Sequence, residues 1–367
     1  MKKIITLLIL LITFGCNKPQ NQFEENFRLI DSLQLHNKIL DNVSFGYFHY
    51  YNKSGNYFIF INNNKIVGVD MFDKIQFEIS LNRLDSMDNK EFLYYNSDSI
   101  FISSFHKKSY EMFITLINKK GEIINNWNIS KYAENIKDTY FYIKTNYMHP
   151  MIFIDNKLYF QASYNFKPGT IIKSKLPIEM ILNLDKDSIT KIFDLPLEYK
   201  NGVFFGNYQK DYSRTININK ELIFSFPICS KLFIYNKDGV IINTVECKSK
   251  YIDKIESLGK DKYFDLSSII DTYSYNAQYA DIIYDAINNR YYRIALHKLE
   301  KYAKDGKVNN WNNRKWSVII LDKNFKIINE VMMPDNKFWK YLILTDKGIL
   351  MKSIENEINK NKFYIYK

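Results

Sequence analysis

Lys231–Cys247 reads KLFIYNKDGVIINTVEC: an apolar run, an Asn-Lys-Asp-Gly turn and a second apolar run. Asn supports such a turn through its own side chain, and Gly239 supplies the positive-φ residue that closes a three-residue hairpin loop. Phe113–Ile129 (FITLINKKGEIINNWNI) is nearly a copy, and Ile178–Leu195 and Trp316–Met332 are weaker relatives. In the first of these hairpins Phe233 and Tyr235 fall on one face while Leu232 and Ile234 fall on the other, with Val240 and Ile242 alternating with Ile241. A sandwich strand wets one face. Apolar residues on both faces point instead to a blade covered on each side by a neighbour.

The same signal fills the chain from about Val43 to Lys367. Tyr (29) and Phe (27) are abundant, and short apolar runs alternate with NNN, NSDS, NKKG, DKD, NKDG and DKN turns. This is β composition at β spacing, without the long 3.6-residue periods of an α/β protein. The runs group in fours: 45–50, 56–61, 65–69 and 75–80; then 91–95, 99–104, 111–117 and 122–129; then 140–146, 157–163, 177–184 and 189–194. A fourth group holds 203–208 or 213–219 with 221–226, 230–235 and 240–247. A fifth holds 281–284, 290–297, 316–321 and 325–331, after an irregular insertion. The last, 340–345, 348–353 and 362–366, has three strands. Units of about 50 residues predict an all-β fold, a β-propeller of about six four-stranded blades. An N-terminal strand completing the last blade would close the ring and remove its edges. A large sandwich or two smaller β-domains is the alternative.

Residues 1–16 read MKKIITLLILLITFGC. Lys2 and Lys3 precede an apolar core of signal-peptide length, too short to span a membrane. Gly15-Cys16 resembles a bacterial lipobox, although Thr13 stands where Leu is usual. The resemblance implies removal of residues 1–15 and a diacylglycerol on Cys16. Asn17 after the cysteine points to the outer membrane, facing either side. Residues 16–42 then form the lipidated Cys, a linker and a closing segment, in which Phe23, Phe27 and Ile30 fit a short helix as well as a strand. The propeller domain follows as 43–367.

Export changes how the charge is read. The formal charge of +11 falls to +9 without Lys2 and Lys3. Outside the cytoplasm its partners are anionic glycans, lipid headgroups or an acidic protein face, and not nucleic acid. No run of five basic residues concentrates it.

Late in the chain lies Gln278–Ile294, QYADIIYDAINNRYYRI. With the leader and the repeated hairpins, this Ile-Tyr-Asp and Tyr-Tyr-Arg segment resembles the uncharacterised propeller-type lipoproteins of Bacteroidetes. That resemblance implies the fold and the address and carries no chemistry.

No G-x-S-x-G, HExxH, P-loop or GxGxxG occurs, so no cofactor is expected. The five His (36, 49, 106, 149 and 297) are scattered, and no metal site is expected. Asp70, Asp73, Asp185, Asp187 and Asp322 lie at turns, where Asp ordinarily serves the turn. One constellation suits carboxylates and sugar rings: Arg214, Tyr284, Asp285, Arg290, Arg293 and His297, with Tyr212 and Tyr292. Alternation sets Tyr291, Arg293 and His297 on one face. The structural alternative is an ion pair from Arg293 to Asp281 or Asp285 between blades.

Cys229 and Cys247 are the cysteines beyond Cys16. A three-residue loop that sets Asn236 opposite Val240 also sets Cys229 opposite Cys247, in the closer, non-hydrogen-bonded kind of pair. A disulfide is therefore a candidate, with two buried free thiols as the alternative. Two functions fit: a noncatalytic membrane-anchored module that binds a glycan, peptide or envelope protein, or an extracytoplasmic hydrolase or lyase working at the propeller axis.

Overall fold

A computed structural model describes residues 29–34, 49–51, 57–70, 72, 74–133, 139–145, 149–166, 177, 179–192, 212–262, 265–310, 313–335, 339, 342–353 and 362–367. It is a six-bladed propeller of four-stranded antiparallel blades. Blade 1 is β2 (His49–Tyr51), β3 (Tyr57–Asn62), β4 (Lys65–Asp70) and β5 (Ile75–Ser80). Blade 2 is β6 (Met87–Asn96), β7 (Ser99–His106), β8 (Met112–Ile117) and β9 (Ile123–Asn128). In blade 3 the inner position is split. There β10 (Thr139–Lys144) and β11 (Ile152–Ile154) pair with opposite ends of β12 (Lys157–Phe166), before β13 (Glu179–Asn183) and β14 (Ser188–Ile192). Blade 4 is β15 (Ser213–Ile216), β16 (Leu222–Ser225), β17 (Lys231–Tyr235) and β18 (Ile241–Glu246). Blade 5 is β19 (Gln278–Asp285), β20 (Arg290–Leu296), β21 (Trp316–Leu321) and β22 (Ile327–Met332). The insertion before blade 5 carries α1 (Leu266–Tyr275), whose N-terminus is capped by the Asp265 carboxylate accepting from Ser267 and Ser268 N–H. It is the one α-helix among the described residues.

Blade 6 closes the ring. It holds β23 (Ile343–Thr345), β24 (Gly348–Lys352), β25 (Lys362–Tyr366) and, as its outer strand, β1 (Leu29–Gln34). The expected N-terminal strand thus lies in the sheet of the C-terminal one, with Leu33 opposite Phe363. The helix weighed for this segment gives way to a strand over its second half. Residues 1–28, with the leader and Cys16, lie outside the described residues, as do the run 203–208, Asp73 and His36.

Burial on both faces has a direct cause. Leu232 and Ile234 pack with Tyr279, Ile282 and Ile319 of blade 5, whereas Tyr235 packs with Tyr159 and Ile181 of blade 3. Six apolar clusters fill six blade junctions, including Phe58, Phe60, Leu350 and Phe363 between blades 1 and 6. Each fully buried Phe or Leu there is worth about 1.5–3 kcal/mol, so the junctions hold the ring together. The outer strands break the pattern. Val240, Ile241 and Ile242 are 58, 48 and 50% exposed, because no further strand or blade covers them.

The turns behave as read. Gly239 has φ +80°, its N–H donates to Asn236 O, and Asn236 N–H donates to Val240 O. The Asn236 side chain accepts from Asp238 and Val240 N–H at 3.0 Å each. Asn118 and Asp322 accept in the same way in blades 2 and 5, and Asp70 does so in blade 1. Past each turn comes a β-bulge: Tyr235 pairs with Ile241, but Ile234 pairs with Asn243. Ile242 is the extra residue, and Gln76, Ile124 and Ile328 are its counterparts.

The bulge overturns the disulfide. It shifts the register by one residue, so Cys247 N–H donates to Ser230 O and the thiols of Cys229 and Cys247 are buried and free.

Candidate functional site

Arg293 sits on β20 with no exposed surface. Its Nη1 donates to Ser230 O at 2.6 Å and Cys247 O at 2.9 Å, its Nη2 to Cys229 O at 2.6 Å, and its Nε to Ser225 Oγ at 3.0 Å. The guanidinium lies 3.7 Å from the Tyr279 ring centroid. The expected Asp281 or Asp285 partner is replaced by three backbone carbonyls of blade 4. They belong to strand ends, where the guanidinium adds to the Cys247 N–H that already reaches Ser230 O.

Arg214, on β15, is equally enclosed and reaches back to blade 3. Its Nε donates to Glu179 Oε1 at 2.8 Å and its Nη1 to Pro150 O at 2.6 Å. The Tyr212 hydroxyl donates to the other Glu179 oxygen. Both charged side chains of this pair are fully buried. Burial pushes the Glu179 carboxyl above its ordinary range, against the pull of Arg214 and Tyr212. The His149 ring packs edge-on against Tyr212, and burial lowers its pKa well below the usual histidine value, with Lys144 and Arg214 adding to the effect. Sealed from solvent, this cluster fastens two blades.

The remaining predicted residues divide among separate tasks. Asp285 caps its own hairpin, accepting from Ile287 and Asn288 N–H and, at 3.3 Å, from the Tyr292 hydroxyl. Tyr284 donates to Asn289 Oδ1 in the same turn. Arg290 pairs with Asp285 across β19 and β20. His297 Nε2 lies 2.9 Å from Ser317 Oγ, which donates to Glu330 at 2.6 Å. Glu330 also accepts from Ser249 Oγ and Lys250 N–H. In a hydrolase the histidine stands between serine and carboxylate. Here the serine stands in the middle, and the carboxylate is taken up by the chain entering blade 5. Burial lowers the His297 pKa. Asp70 and Asp322 serve their turns, and Asp187 accepts from Trp127 Nε1 at 2.6 Å, which joins blade 3 to blade 2. No group of three metal-ligating side chains occurs among the described residues.

The constellation is therefore not one site, and most of it is fastening. A cleft opens beside it, at the end of the axis where the inner strands begin, here called the upper end. Tyr212 and Ser213 of blade 4, Gln278, Tyr279, Ala280 and Asp281 of blade 5, Pro227, Leu296, Tyr273 of α1 and Trp339 line it. Its cavity volume is about 30 Å³, room for a water molecule, so a larger group would sit across the mouth. Gln278 Nε2 donates to Tyr273 O at 3.2 Å, tying α1 to the rim. Of the predicted residues only Tyr212 reaches this wall. The sequence offers Asp281 only as a partner for Arg293, and Tyr273, Gln278, Tyr279 and Trp339 escaped because α1, β19 and the Trp339 segment meet only in the fold. The one available signal was the irregular insertion before blade 5, which places α1 over the cleft.

The described geometry has relatives. A crystal structure of a DUF4221 family member from Bacteroides vulgatus superposes with a TM-score of 0.69 at 18% identity, over 93% of this chain and 98% of that one. A protein of unknown function from Bacteroides thetaiotaomicron superposes more loosely, with a TM-score of 0.45 at 10% identity over 93% of this chain and 76% of that one. A streptogramin B lyase reaches 0.40 at 12% identity, over 94% of this chain and 98% of that one. No curated protein matches the sequence. The family model "Domain of unknown function (DUF4221)" matches residues 49–331, from the first strand of blade 1 into the last of blade 5, and the chain belongs to that family.

Proposed function

We propose that the protein is an envelope lipoprotein, held through a diacylglycerol on Cys16 after loss of residues 1–15, that binds a ligand without transforming it. The outer membrane is its address on the Asn17 rule. The observation that carries the binding role is the cleft at the upper end of blades 4 and 5, where aromatic side chains meet a few polar ones. Tyr273 offers ring surface at the mouth, Tyr212, Tyr279 and Trp339 form a buried floor beneath it, and Gln278, Asp281 and Ser213 lie beside them as hydrogen-bonding groups. A partly exposed aromatic ring beside a few polar groups suits stacking of a sugar ring of a glycan across the mouth.

Binding is favoured over cleavage by the carboxylates. Glycoside hydrolysis takes a pair, whereas Asp281 is the one carboxylate among the described lining residues. Glu179 and Glu330 are committed to blade fastening. A glycan array with the purified lipoprotein tests this reading. Tyr273 is half-buried, so its ring can be removed without opening a blade junction. Tyr273→Ala is expected to weaken binding about tenfold, the worth of one stacked ring. Turnover of a bound glycan would replace this reading with the hydrolase or lyase one. Intact-mass analysis checks the anchor: a Cys16→Ser variant should lose both the lipid and the cleavage.

A further inference from the structure

The lower end of the propeller, opposite the cleft, carries the turns between first and second strands and between third and fourth strands. Every outer strand therefore starts there. Leu29, Ile75, Ile123, Ile241 and Ile327 occupy the first position of the outer strand in five different blades, and all are exposed. Ile218 and Ile287 add two turn tips at the same end, 72 and 64% exposed. Apolar exposure at the upper end has a different distribution. There Tyr110 sits in a turn of blade 2 and Leu266, Tyr302 and Val308 in insertions of blade 5, with no strand position recurring from blade to blade.

Lysines alternate with the isoleucines. Lys119, Lys120, Lys237, Lys323 and Lys326 stand exposed in the turns. The acids of those turns are engaged: Asp70 and Asp322 accept N–H groups of their own loops, and Asp238 pairs with Lys157 at 2.8 Å. Exposed aliphatics interspersed with lysines are the composition of a surface that lies in a lipid interface. The aliphatics enter the acyl boundary, and the lysines stay at the headgroups.

The chain places the lipid at this end. Strand β1 begins at Leu29, opposite Tyr366, and Tyr366 in turn faces Ile349, next to the lower turn at Gly348. Twelve residues separate Cys16 from Leu29, a reach of at most about 40 Å when fully extended. Reaching the upper end instead would use about 20 Å of that on the height of a six-residue strand.

We infer that the lower rim of isoleucines and lysines rests on the phospholipid surface, which holds the cleft pointing away from the membrane. This rests on the lipoprotein reading above, and the test separates the two. Lipidated protein is reconstituted in phosphatidylethanolamine–phosphatidylglycerol vesicles. A polarity-sensitive fluorophore is attached at Ile124→Cys on the lower rim or at Lys108→Cys in an upper turn of the same blade. The native Cys229 and Cys247 are buried and stay unlabelled. Nitroxide on the acyl chains should quench the rim label at least about twofold more than the upper label. Equal or reversed quenching overturns the inference while leaving the anchor standing. In a second arm, unlipidated Cys16→Ser protein is sedimented with the same vesicles. Adding Ile124→Asp and Ile241→Asp should lower its partitioning about tenfold. That loss supports the rim even where mass analysis finds no lipid on Cys16. A rim label shielded without vesicles, together with a doubled mass, would assign the face to a second copy and overturn the inference.

Discussion

Arg214 and Arg293 stand one blade apart, and each crosses to the blade before it. Arg293 donates to three carbonyls in blade 4, so its loss forfeits buried hydrogen bonds from a charged donor, worth about 1.5–3 kcal/mol each. Arg293→Ala is expected to lower the unfolding free energy by at least about 3 kcal/mol in urea titrations. Arg293→Lys should recover little of it, since an ammonium cannot match the planar fork. A stability near wild type in Arg293→Ala would show that the carbonyls find other donors. His149 adds a pH dependence whose sign is set by burial. Its folded-state pKa lies well below the unfolded value near 6.5, so the unfolded chain takes up the proton first. Stability is complete above about pH 6.5 and falls as the pH drops below it. The buried His297 acts in the same direction. The urea midpoint should therefore be lower at pH 5.5 than at pH 7.5, and His149→Phe should shrink the difference. These roles were hidden in the sequence for a physical reason. An Arg among Tyr and Asp looks the same whether it meets a ligand or a backbone carbonyl, and the carbonyls that Arg293 meets carry no sequence mark.

Hairpins were the most legible elements, because their signals are local. An Asx with two N–H groups to accept, a Gly at positive φ and an apolar run on each side all lie within a dozen residues. The bulge that follows was not legible. It depends on how the twisting outer strand leaves the turn, and its extra residues, Gln76, Ile124, Ile242 and Ile328, share no type beyond three isoleucines. One missed residue of register was enough to part Cys229 from Cys247. Non-reducing mass spectrometry should find both thiols alkylatable once the protein is unfolded. Turn chemistry also reaches across blades. Gly121 has φ +71°, and a Cβ there would lie 2.4 Å from Ser80 O of blade 1. The left-handed conformation alone costs an L-residue about 1–2 kcal/mol, and the clash with a backbone oxygen adds to it. Gly121→Ala is thus expected to cost at least about 2 kcal/mol, read as a lowered urea midpoint with unchanged slope.

A ring is only as secure as its closure, and here closure is asymmetric. Between blades 6 and 1 the apolar cluster of Phe58, Phe60, Val69, Leu350 and Phe363 is built from residues 43–367, which the sequence marked as the propeller. Strand β1 adds little to it: Leu29–Ser32 are exposed and Leu33 is half-buried. What β1 supplies is a row of backbone partners for β25, from Leu29–Tyr366 to Gln34–Lys362. Backbone hydrogen bonds gained at the cost of ordering six residues are nearly neutral in free energy, about 0.5–1.5 kcal/mol gained per bond against 1–2 per ordered residue. The value of β1 therefore lies in covering an edge. Uncovered, β25 would present Lys362–Tyr366, KFYIY, a short aromatic strand with free N–H and C=O groups and a template for pairing with another chain. Removing residues 1–34 should accordingly leave the circular dichroism spectrum of the propeller in place and shift the thermal midpoint by only a few degrees. The same truncation should turn a monomer into aggregates on size exclusion, in proportion to concentration. Lys added to the bared strand, as Tyr364→Lys, should restore the monomer if edge pairing is the cause. A truncated chain that unfolds outright would mean that β1 carries the ring's stability rather than its solubility. A truncated chain that stays monomeric would mean that the edge of β25 needs no cover.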